Sequence, residues 1–152
     1  MIVLRNIGAV LAGVVLGSMV NIALVNLGPH VISLPEGADV TTMEGLRDSM
    51  MVMKPANFIF PYLGHALGTL VGALVAAKIA TTRRLWFGVG ISLWFLFGGV
   101  AAVVLFGGPM WFKVLDLLTA YIPMGWLGGK LGGGNAAMVN KPDPTEASTV
   151  AA

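Results

Sequence analysis

Apolar residues run along the chain in four blocks, at about 7–27, 58–80, 85–106 and 114–131. Each is close to the roughly 20 residues that carry a helix across a bilayer. The first three hold no acidic residue. The fourth contains Asp116, Pro123 and Lys130. It serves as a crossing if Asp116 and Lys130 sit near opposite interfaces, where long side chains reach water. The first block also has the basic start of a signal peptide at Arg5, but it is long and lacks a small-residue cleavage pattern, so it reads as a retained helix. The pattern predicts an all-α membrane protein: four transmembrane helices in a compact bundle over 1–139. A polar, proline-containing tail at 140–152 reads as disordered and cytoplasmic.

One long polar connection separates the first two blocks. Inside it, "TTMEGLRDSMMVM" predicts a short amphipathic helix over about 42–53. Thr41 and Glu44 have the spacing of a capping box. Met43, Leu46, Met50 and Met53 fall on one face, and Glu44, Arg47 and Asp48 on another. Such a helix lies on the membrane or caps the bundle.

The second block is sorted by side-chain size rather than polarity. Gly64, Gly68, Gly72 and Ala76 recur every fourth residue. On a wheel of 100° per residue they form one side, and Leu63, Leu67, Leu70 and Leu74 belong to the other. Lipid tails are as apolar as leucine, so helices associate where small residues let backbones come close. Gly13 and Gly17 in the first block, and Gly125, Gly129 and Gly133 in and after the fourth, continue the theme. Helices one, two and four are therefore expected to form the core, with the aromatic third helix turned outward. Gly64, Gly68 and Gly72 also match Gly125, Gly129 and Gly133 at an offset of 61 positions, a faint sign of a parallel repeat.

Composition agrees with hydropathy. Of 152 residues 57% are hydrophobic and 11% charged, against about 25% charged in ordinary soluble domains. No basic run suggests nucleic acid. The absence of cysteine removes disulfides and thiolate metal sites. Basic residues set the orientation. Arg5, Lys78, Arg83, Arg84, Lys130 and Lys141 fall on one side of a four-crossing topology, and Arg47, Lys54 and Lys113 on the other. The excess predicts both termini in the cytoplasm, in a plasma membrane of bacterial inner-membrane type.

The chemistry available inside the apolar blocks is sparse. His65 lies on the small-residue side, about 10 Å deep at 1.5 Å per residue. Tyr62, Thr69, Asn21, Tyr121 and Asp116 fall at a similar depth, and together they form the expected polar cluster. Methionine thioethers suit copper(I), but helical methionines on an apolar face ordinarily pack, and no metal or cofactor is predicted. No nucleophile–base motif points to an enzyme. Two functions follow as expectations. The first is a protein that self-associates or joins a membrane-protein partner as an accessory subunit through its glycine and aromatic faces. The alternative is a small-solute or proton-coupled transporter or channel using the cluster around His65.

Overall fold

The structure, a computed structural model, describes residues 1–134, and all of its regular elements are helical. In chain order these are α1 (Ile2–Val31), α2 (Met43–Ser49), α3 (Ile59–Ile79), α4 (Arg84–Phe106), α5 (Met110–Thr119) and α6 (Ile122–Gly129). A 3-10 turn at Pro55–Phe58 leads into α3, and a π-helical turn at Lys130–Gly134 follows α6. Three helical stretches are long and apolar enough to cross a membrane: Ile2–Val31, Pro55–Ile79 and Arg84–Phe106. They are compatible with an integral membrane protein. The tail predicted over 140–152 lies outside the described residues.

α1 and α3 run antiparallel along their small-residue faces. A Cβ on Gly13 would stand 2.6 Å from the Gly72 carbonyl oxygen, and one on Gly17 would stand 2.6 Å from that of Gly68. The register continues to Gly64, where a Cβ would reach the Asn21 carbonyl at 3.0 Å. Glycine is required here by the nearness of the facing backbone, the means by which apolar helices gain dispersion contacts without help from water. At the far end, the Asn6 side chain accepts from the Thr81 N–H and hydroxyl, each at 3.1 Å. Arg5 Nε donates to the Ile79 carbonyl at 2.8 Å.

α3 is the central element, and the expected core needs one change. α4 packs against both α3 and α6, burying Gly88, Ile91, Ser92 and Gly99. Gly88 abuts Gly125 and Gly129, while Ser92 rests on Gly125. α1, by contrast, packs chiefly on α3. So α4 belongs to the core and α1 flanks it. On α4 a buried stripe of Gly88, Ser92 and Gly99 lies opposite the aromatic residues. Trp86, Trp94 and Phe97 do point outward, at 60–74% exposure. The glycines offset by 61 positions play parallel parts only twice: Gly64 and Gly68 face α1, and Gly125 and Gly129 face α4.

A single helix over 114–131 does not form. The segment is divided at Ala120–Tyr121 into helices of 10 and 8 residues. Pro123 is the cause. It has no N–H to give the Thr119 carbonyl, and its ring crowds that carbonyl, so the helix restarts with proline in its first turn. Gly133 also differs from expectation. It adopts φ +106°, which favours glycine, and ends the π-helical turn beside Arg84. The close packing on α3 comes instead from Gly128, near Leu70 and Ala73, and Gly132, near Ala77.

Candidate functional site: a buried histidine–aspartate pair beside a cavity

The loop between α1 and α3 folds back over one end of the bundle. α2 begins one residue later than the capping-box spacing implied. Thr42 is the N-cap, its hydroxyl accepting from the Gly45 N–H at 3.0 Å. Asp39, rather than Glu44, organises the turn: its carboxylate accepts from the Thr41 N–H and hydroxyl and from the Thr42 hydroxyl. The Thr41 hydroxyl bond, followed by the Thr41 N–H and the Thr42 hydroxyl, holds the Asp39 carboxyl below its ordinary range. Ser49, buried at the end of α2, bonds back to the Asp39 backbone in both directions. α2 ends at Ser49, short of the expected 53. Met43 is exposed, whereas Leu46, Met50 and Met53 turn toward the bundle.

Beneath them lies a cavity of about 300 Å³, bounded by the last turns of α1 and α4, the first turns of α3, and α5. Its walls are mostly apolar and include Phe58, Val103, Phe106 and Phe112. Asn57 fastens the rim, donating from Nδ2 to the Ser33 carbonyl at 3.1 Å and accepting from the Lys54 N–H at 3.0 Å.

His65 and Asp116 line the inner end. α3 carries His65 about 9 Å along its axis from Ile59. α5 turns Phe112 and Asp116 inward at four-residue spacing, and both are buried. The His65 Nδ1–H donates to Asp116 Oδ1 at 2.8 Å. The Tyr121 hydroxyl donates to Asp116 Oδ2 at 3.0 Å. Asp116 is 2% exposed, and its carboxylate would be costly at this depth without those two donors. The imidazole stacks on the Tyr121 ring, with centroids 5.8 Å apart. Tyr121 occupies the break between α5 and α6, so the interruption of the helix is what seats its hydroxyl on Asp116.

The structure thus joins His65, Asp116 and Tyr121 directly. Tyr62 stands beside them but pairs with Thr119, its hydroxyl 2.9 Å from Thr119 Oγ1. Thr69 is fully buried and donates to the His65 carbonyl at 2.7 Å, which fixes the α3 backbone rather than the imidazole. Asn21 lines the same cavity, and its Cβ packs toward Gly68. Sequence reasoning missed Gly99: a side chain there would fall on the Tyr121 hydroxyl, so glycine makes the space that Tyr121 fills. Thr119 was also missed, though its position one turn beyond Leu115 and beside the proline break carried the signal.

Asp116 acts on His65 as an orienting carboxylate. With Nδ1–H committed to it, the neutral imidazole offers an acceptor lone pair at Nε2. Nε2 has no protein hydrogen-bond partner among the described residues, and no buried side-chain nitrogen or oxygen there is left unpaired. The free nitrogen is therefore accessible, on a side chain that lines the cavity. The arrangement places a free ring nitrogen, backed by a carboxylate on the other ring nitrogen, next to an apolar chamber. Among the described residues, no three His, Cys, Asp or Glu side chains gather as a metal set. No protein-family model, no curated protein and no solved structure matches the chain.

Proposed function

We propose that this protein is a small-solute membrane transporter, with the α2-covered cavity as its solute site and the His65–Asp116 pair as its protonatable group. The observation that carries the reading is the accessible imidazole at the inner end of the cavity, bonded through its other nitrogen to a buried carboxylate. A structural histidine would need no chamber in front of it. The α5–α6 segment serves as a fourth, discontinuous crossing. Its broken backbone at Ala120 and Tyr121 is buried in protein, the circumstance in which a membrane tolerates non-helical backbone. Four crossings and the gathering of Arg5, Lys78, Arg83, Arg84 and Lys130 at the end away from α2 support cytoplasmic termini, in a membrane of bacterial inner-membrane type. Reconstituted protein should take up solute in a pH-dependent manner, and His65→Ala should abolish uptake or its pH dependence while the protein remains folded. Wild-type uptake by that variant would remove His65 from the mechanism.

A second reading, self-association or docking onto a membrane-protein partner, has its own observation. Trp86, Gly90, Trp94 and Gly98 alternate large and small at four-residue spacing on the outer face of α4, and a Cβ on Gly90 or Gly98 would meet nothing within 4 Å. The faces of Gly13 and Gly17 on α1, of Gly64, Gly68 and Gly72 on α3, and of Gly125 and Gly128 on α6 are occupied within the chain. The mass of the complex extracted in nanodiscs tests this reading, which a lone monomer would defeat.

A further inference from the structure

Charge balance in the cavity points to the class of solute, an inference that rests on the transporter reading. Among the described residues, His65 and Asp116 are the titratable side chains that line it. α1, α2 and α4 contribute apolar groups and asparagines, and no Lys or Arg faces His65 from any of them. Tyr62 and Tyr121 flank the imidazole with hydroxyls already bonded to Thr119 and Asp116. With His65 neutral, the site carries one uncompensated negative charge in apolar surroundings, which is costly. A proton on Nε2 cancels that charge. A cationic N–H group of a solute, donating to the same lone pair, cancels it equally. The two exclude each other because Nε2 has one lone pair.

We infer that the cavity takes a small amphiphilic amine, an ammonium group on an apolar body, in exchange for the proton of the His65–Asp116 pair. The step is balanced without covalent chemistry at carbon: an N–H···N hydrogen bond forms at Nε2, and the displaced proton leaves to water. The apolar body lies against Phe58, Val103, Phe106 and Phe112. The chamber of about 300 Å³ holds about ten water-sized groups at roughly 30 Å³ each. That suits a single-ring amine.

The test is calorimetry on the full-length protein in nanodiscs, with 2-phenylethylamine, 2-phenylethanol and 3-phenylpropionate as cationic, neutral and anionic probes of one shape. The amine should bind at least about tenfold more tightly than either of the others. Its affinity should rise by about tenfold per pH unit while the pair holds its proton, then level off. Paired buffers of different ionisation heat should count one proton released per amine bound on the rising limb. His65→Gln keeps an N–H for Asp116 but has no ring lone pair, so it should bind the amine at least about tenfold more weakly and release no proton on binding. The wild-type proton count stands alone if that variant does not fold. Equal binding of the alcohol, a pH-independent wild-type affinity, or binding of none of the three overturns the exchange. The alcohol result leaves a solute cavity in place. Failure of the cavity itself would show separately as loss of solvent access to its wall.

Discussion

At the scale of single residues, backbone proximity and charge pairing decide most outcomes. A Cβ on Gly17 would stand 2.6 Å from the Gly68 carbonyl and 2.8 Å from the Phe95 ring, while one on Gly90 would meet nothing. Gly17→Val should therefore cost about 1–3 kcal/mol by overpacking. Gly90→Ala should be neutral or stabilise by up to about 1 kcal/mol through helix propensity. Reversible unfolding in mixed micelles compares the two, and equal effects would contradict the packing described. The glycine ladder was legible because size periodicity is visible in sequence. The bond from Asp116 to His65 was less so: the two residues are 51 positions apart, and only the fold brings α5 against α3. Both were expected in one polar cluster, but the pairing within it was not. Gly99 was hidden because its partner, Tyr121, lies in the break between α5 and α6, 22 positions further along the chain.

At the scale of elements, the least regular pieces do the positioning. α2 depends on Asp39, whose carboxyl is held below its ordinary range by Thr41 and Thr42. A depressed carboxyl contributes its stability above its unfolded value, and that contribution is lost as pH falls through the lower, folded one. Proteolytic nicking of the 32–54 loop should thus stay low near neutral pH and increase below about pH 4. Asp39→Ala should show the increased nicking at neutral pH as well. If the variant and the wild type were nicked alike at every pH, Asp39 would have no part in holding α2. The α5–α6 break tells a related story. Pro123 announced trouble in the fourth apolar block, but hydropathy alone could not say whether the chain would kink, stop or restart. The answer came from buried contacts of Ala120 and Tyr121, which no local pattern encodes. α2 was shifted for a similar reason, because Asp39, upstream of the expected box, holds Thr41 and Thr42 and leaves Thr42 as the N-cap.

At the scale of the molecule, charge and access set the expectations. The five described cations at the end away from α2 predict that a reporter fused after Ala152 reads cytoplasmic and that a tag at Gly37 is reached from outside. The opposite pattern would refute the proposed orientation. Three apolar spans were plain from the sequence, whereas the way α4 packs against both α3 and α6 was not, since outward aromatics and an inward small-residue stripe share that helix. The transporter reading stands on a solvent-accessible chamber beneath α2 with His65 at its inner end. The chain contains no cysteine, so a single Ala102→Cys substitution in the cavity wall gives a clean probe. A small membrane-impermeant thiol reagent, applied from the α2 side of oriented membranes, should label that position and slow when 2-phenylethylamine is present. No labelling at position 102, alongside full labelling of a Gly37→Cys control, would contradict the account.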